Sequence, residues 1–172
     1  MCIRDSYGTF AEIGAGQEVV RHFFRAGGAS GTVAKAMSAY DKDFSDAIYG
    51  KETDGRYVCE SRLKKIIAHE YGLITERIER NKHPEKRFFS FANNVATINF
   101  SKSNDGHGWM GIRFQLNSNS QPNDVIIHFL LHELETKQQQ ISTGILGVNL
   151  LYACMFHYNN PKEIIKQLFD NC

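Results

Sequence analysis

RFFSFANNVATINFSKSNDGHGWMGIRFQLNSNSQPNDVIIHFLLHE, residues 87–133, decides the fold. Three apolar runs lie in it: RFFSFANNVATINF (87–100), GWMGIRFQL (108–116) and DVIIHFLLHE (124–133). The middle run alternates Trp109, Gly111, Arg113 and Gln115 against Met110, Ile112, Phe114 and Leu116, the period of two that marks a strand. The connectors SKSNDGHG and NSNSQPN are turn-forming and too short for a helical crossover. Successive runs must then pair antiparallel, which predicts a β-meander.

Helical patterns flank the meander. ESRLKKIIAHEYGLITERIERNK (60–82) repeats Leu63, Ile67, Tyr71, Ile74 and Ile78 at spacings of three and four, so one helix face is apolar. Ser61 is placed to cap it, Glu76 and Arg80 to pair on its outside, and Pro84 lies past its end. TKQQQISTGILGVNLLYACMFHYN (136–159) reads as a long helix, apolar nearly all round in its second part, and Asn160-Pro161 opens a last short one. Upstream, YGTFAEIG (7–14) suits a short strand, QEVVRHFFRA a helix, TVAKAMSAY (32–40) a second short helix, and DKDFSDAIYGKETDG (41–55) a polar loop. The order predicts an α+β fold, with helices 61–81 and 141–158 packed on a sheet face.

The chain has 172 residues, 42% of them hydrophobic, enough for one domain with a core. Its 20 basic and 19 acidic residues give a net charge of +1, so nucleic acid and anionic membranes are not expected partners. Cys2, Cys59, Cys154 and Cys172 show no paired spacing, which predicts neither a disulfide framework nor a zinc site and suits the cytoplasm. The apolar stretch 145–156 is too short to span a bilayer. MCIRDS (1–6) resembles translated sequencing adaptor of the kind that begins metagenomic reading frames, and it is read as non-native. Residues 7–172 then form a single domain or the N-terminal part of a larger one, with a C-terminal remainder expected to cover part of the last long helix.

YGTFAEIGAGQE (7–18) holds Gly8, Thr9, Phe10, Ile13 and Gly16 in register with the GTFDPIH-x-GH signature of nucleotidyltransferases. The two histidines that would stabilise phosphate charge are replaced by Gly14 and Gln17. As a dinucleotide fingerprint, GAGQEV carries Val19 where the third glycine belongs, and the strand before it, with Glu12, does not read as a buried parallel run. What remains is a turn whose glycines let backbone N–H groups meet an anion at a helix start; the plainer use of the same glycines, a tight strand-to-helix connection, is the favoured one. GGASGTVAK (27–35) is a second such turn, ending on Lys35, and lacks the lysine position of a P-loop.

Metals are not expected. DKDFSDAIYGKE (41–52) puts Asp41, Asp43, Ser45 and Glu52 at calcium-loop positions, but Asp46 stands where the turn needs glycine. His128 and His132 would share one face of a strand, too far apart to hold one ion. DGHGW (105–109) suits a tight turn, or an exposed ligand contact through His107 and Trp109.

From residue 7 onward, the segments FAEIGAGQEVVRHFFRAGGASGTVAKAMSAYD, FSDAIYG, GHGWMGIRFQ and QQISTGILGVNLLYACMF resemble a widespread bacterial family of unassigned activity. Its members are longer and circulate as nicotinate-nucleotide adenylyltransferases or as TonB-dependent receptors. The resemblance transfers no catalytic residue and implies no cofactor.

The leading functional expectation is binding of a nucleotide or another phosphate-bearing small molecule, through Gly14, Gly16 and Gln17 of the first turn and Gly28, Ser30, Gly31, Thr32 and Lys35 of the second, facing one cleft. The other is a non-catalytic scaffold or protein-interaction module. Neither the residues nor the resemblance decides whether the chain is an enzyme.

Overall fold

A computed structural model describes residues 5–170, so Cys2, Cys172 and most of segment 1–6 lie outside the described residues. Ser6, at the end of that segment, already belongs to the first strand. The elements run β1 (Ser6–Gly14), α1 (Val19–Ala26), β2 (Val33–Ala39), α2 (Lys42–Tyr49), α3 (Glu60–Arg77), β3 (Arg87–Ala96), β4 (Gly106–Gln115), β5 (Pro122–Leu131), α4 (Thr136–Phe156) and α5 (Pro161–Leu168). The five strands make one sheet in the order β2-β1-β3-β4-β5. The fold is α+β.

The meander is there. β3 pairs antiparallel with β4, and β4 with β5. β1 departs from its expected character: it lies parallel between β2 and β3 and is buried along nearly its whole length. Its Glu12 misled the reading, because a carboxylate in a central strand looks like an exposed position.

Two further expectations are corrected. Residues 33–39 form a strand, not a helix. Lys35, Met37 and Ala39 stand opposite Thr9, Ala11 and Ile13 of β1, a period of two that their helix-favouring side chains concealed. Residues 42–49 form a helix instead of a loop: the Asp41 carboxylate accepts from the Phe44 N–H at 2.9 Å and caps it. Asp43 and Ser45 are therefore helical, not ligands of a loop.

The sheet carries a core on each face. Phe10, Phe89, Phe91, Met110, Ile112 and Phe129 meet Val19 of α1 and Leu150, Leu151 and Cys154 of α4 on one side. Ala11, Ile13, Ala39 and Ala92 meet Leu63, Ile66 and Ile67 of α3 on the other. Two ends of α3 differ from the sequence reading. Cys59 is its N-cap, while Ser61 donates to Glu52 at 2.9 Å. Arg80 turns away from Glu76; it lies 3.8 Å over the Phe88 ring and donates to Gln115 at 2.8 Å.

Among the described residues no helix is long and apolar enough to cross a membrane.

Candidate functional site

The connections decide where a site can form. β1 leads through α1 on one face to β2; β2 leads through α2 and α3 on the other face back to β3, on the far side of β1. Where crossovers part to opposite faces, the loops at the carboxyl ends of the strands diverge and leave a crevice. Here that point lies at the ends of β1 and β3, and the turn Gly14–Gln17 sits on it.

The turn is held down from beneath. Gly14 has φ +73°, and a Cβ there would strike the Val95 carbonyl, so both the conformation and the space require glycine. The Ala15 N–H donates to that same carbonyl at 3.1 Å. Asn93, fully buried on β3, accepts from the Ile13 N–H at 3.2 Å and donates to the Gly16 carbonyl at 3.0 Å. A Cβ on Gly16 would overlap the Asn93 amide. The Gln17 side chain closes the turn by donating to the Gly14 carbonyl.

Glu12 explains its own burial. One carboxylate oxygen accepts from the Val19 N–H at 2.7 Å and the Val20 N–H at 3.4 Å, so the carboxylate of β1 caps α1 from inside the protein. At 2% exposure the lost hydration outweighs those two hydrogen bonds, and Glu18 adds like charge. The Glu12 pKa is pushed up from 4.5 to about 7.

The N–H groups of Gly16, Gln17 and Glu18, immediately before α1, find no acceptor among the described residues. The amino end of α3 borders the same place. Cys59 makes no side-chain cap, and its carbonyl accepts from Asn94 at 3.0 Å. Tyr57 lies beside Gly14 and donates to the carbonyls of Ala39 and Tyr40 at 3.2 Å each. The side-chain amide oxygen of Asn94, Oδ1, is buried and has no partner among the described residues. Free amide donors, one free buried acceptor and two helix amino ends thus border the carboxyl edge of β1 and β3. This arrangement suits an anionic group with a polar body.

The second turn lies elsewhere. Gly28 opens a single 3-10 turn, Ala29–Gly31, that contains Ser30. The Gly8 N–H donates to the Thr32 carbonyl at 2.9 Å, which fixes this turn beside the start of β1. In a parallel pair, the start of β2 and the end of β1 are opposite edges. The structure therefore does not bring Gly28, Ser30, Gly31 and Thr32 into one cleft with Gly14, Gly16 and Gln17. Lys35 points to the α3 face and bonds both oxygens of the fully buried Glu70, at 2.8 and 3.0 Å. Tyr49 donates to Glu70 at 2.9 Å, and burial together with that charge raises the Tyr49 pKa well above its usual range. Lys35→Met should cost about 2 kcal/mol, because a charged hydrogen bond is lost and Glu70 keeps only Tyr49. Urea unfolding checks this; an unchanged midpoint would contradict the pairing.

His107, Trp109 and His128 do meet, on the α3 side of β4 and β5. Trp109 and His128 have ring centres 4.6 Å apart, and His107 and His128 5.8 Å. Partial burial and His128 lower the His107 pKa. His132 lies past the end of β5 and shares no strand face with His128.

Glu12 as a cap, Asn93, Asn94, Tyr57 and Cys59 were not identified as site residues from the sequence. The one local sign was the Asn93-Asn94 pair inside an apolar strand run, since two buried amides need partners that the strand alone does not supply.

No protein-family model matches the chain, and no curated protein sequence matches it. Solved structures do share its fold. A competence damage-inducible protein A, ComA, of Klebsiella pneumoniae aligns at a TM-score of 0.65 with 9% identity, over 90% of this chain and 89% of that one. Competence/damage inducible protein CihA of Agrobacterium tumefaciens gives 0.60 with 12% identity, over 86% and 84%. A competence or damage-inducible protein of Enterobacter asburiae gives 0.58 with 11% identity, over 87% of each chain. At such identities the likeness is one of fold.

The family expectation is corrected accordingly. Solved structures with this arrangement include competence/damage-inducible proteins, and an open five-stranded sheet between helices is not the architecture of a TonB-dependent receptor. The adenylyltransferase name gains support from none of the matches.

Proposed function

We propose that the domain binds a small phosphate-bearing molecule, a nucleotide foremost, at the carboxyl edge of β1 and β3. The observation that carries this is the run of three N–H groups, Gly16, Gln17 and Glu18, without acceptors at the point where the chain's crossovers part. Consecutive amide donors form an anion-binding concavity with no need of a lysine. Glu12 sets its limit: when ionised it competes for the same helix end. Lys35 and the second turn have no part in this site.

The fold shared with competence/damage-inducible proteins agrees with a bacterial origin and names no ligand. The near-neutral charge argues against nucleic acid or a membrane surface as partner. Cys59 and Cys154, both free thiols, suit the cytoplasm. A second reading, a non-catalytic interaction module, draws on the exposed Leu130 of the edge strand β5.

Thermal unfolding with 5′-AMP and with adenosine tests the proposal. Stabilisation should grow with 5′-AMP concentration, reaching about 2.7 kcal/mol at a hundred times the Kd, and adenosine should give far less. Equal effects, or none, would overturn the phosphate reading.

A further inference from the structure

We infer that β5 is an interface and that the chain pairs along it with a second copy of itself. β5 lies at the outer edge of the sheet, bonded only to β4. All ten of its residues pair with β4 without a register shift, so the strand is regular and its other edge offers unpaired N–H and C=O groups along its length.

The devices that guard a free edge are nearly absent. There is no bulge and no lysine or arginine in the strand, and its one proline is its first residue, Pro122. The strand is apolar from Val125 to Leu131 except for His128. Leu130 is 56% exposed, and Phe169 beside it in the same groove is also exposed. A groove of about 830 Å³ follows the edge between β5, α4 and α5, lined by Ile127, Phe129, Leu131, Leu146, Leu168 and Phe169.

The sequence of β5 selects a second copy as the occupant. A two-fold axis at His128 sets two antiparallel strands with Val125 opposite Leu131, Ile126 opposite Leu130, and Ile127 opposite Phe129. Carried one residue beyond Leu131, where the strand ends, the same register brings His132 to Asp124, twice by symmetry. Sliding the pair to an axis at Ile127 puts Asp124 against Leu130 and Ile126 against His128, and both matches are lost. Asp124 is already fixed by Arg113, which donates to both its oxygens at 2.7 Å, so it meets the incoming imidazole in a set position. His132 is exposed.

Sedimentation equilibrium on the full chain tests this. The wild type should be a dimer in reversible exchange. His132→Asp sets two like-charged pairs across the axis and should raise the dimer Kd about tenfold. Lys137→Asp, an acidic change on the exposed start of α4, should leave it unchanged. A wild type that stays monomeric at several hundred micromolar would overturn the inference. So would a dimer indifferent to His132→Asp, or one weakened equally by both variants.

Discussion

Arg62→Met lowers the free energy of unfolding by about 4 kcal/mol, the largest single effect expected in this protein. The Arg62 side chain is fully buried, yet it begins from α3, one turn beyond the Cys59 cap. It donates to Asp46 of α2, to the Ser45 hydroxyl at 2.8 Å and to the Gly50 carbonyl at 3.5 Å, and its guanidinium lies 5.0 Å from the centre of the Tyr57 ring. One side chain thus ties α2 to α3 and holds the aromatic ring beside Gly14. Methionine keeps much of the volume but leaves the largely buried Asp46 carboxylate without its counter-charge. Adding Asp46→Leu should recover most of the loss, because a buried ion pair replaced whole by apolar groups costs little. Denaturant unfolding of the single and double variants decides it. A double variant no more stable than Arg62→Met would show that packing, not the unpaired charge, sets the cost.

Glu12→Gln stabilises the protein at pH 8 and leaves it nearly unchanged at pH 4. The folded-state pKa of Glu12, about 7, lies above its ordinary 4.5. The native state therefore holds this proton while the unfolded chain has released it, and stability falls as pH rises from about 4.5 to about 7. The full difference, roughly 3 kcal/mol, persists above that window. Glutamine retains an oxygen for the Val19 and Val20 N–H groups and carries no charge to desolvate. Glu52 and Glu163 titrate with the opposite sign, since hydrogen bonds lower their pKa values, but they are common to both proteins and cancel in the difference. Unfolding curves for both proteins from pH 4 to 8 give the result. A stability difference that does not vary with pH would mean that folding leaves the Glu12 pKa where it is in the unfolded chain.

The parts legible in the sequence were those whose burial is one-sided. β4 alternates cleanly, and α3 and α4 carry apolar faces long enough to read. β1 was less legible because it is buried on both faces and includes a carboxylate whose partners, Val19 and Val20, come after the turn. β2 was missed for a different reason: Ala34, Lys35, Ala36 and Met37 favour helix locally, and pairing with β1 overrides that preference.

That one error propagated to the site. With 33–39 read as a helix, the two glycine turns bound the same pair of helices and would share a cleft. Read as a parallel strand, the same residues force the turns to opposite edges of the sheet. The first turn was locatable because Gly14 and Gly16 are local punctuation. Its support was not, because Asn93 comes some 80 residues later and reaches the turn only through β1–β3 pairing.

Amide mapping by NMR tests the central claim, that the turn after β1 receives the anionic group of a small ligand. In a titration of the ¹⁵N-labelled chain with 5′-AMP, the Gly16, Gln17 and Glu18 amide signals should shift together along one saturable curve. The amides of Gly28 to Thr32, at the opposite edge of the sheet, should stay in place. Shifts confined to that second turn, or a first turn unmoved when binding elsewhere is saturated, would contradict the account.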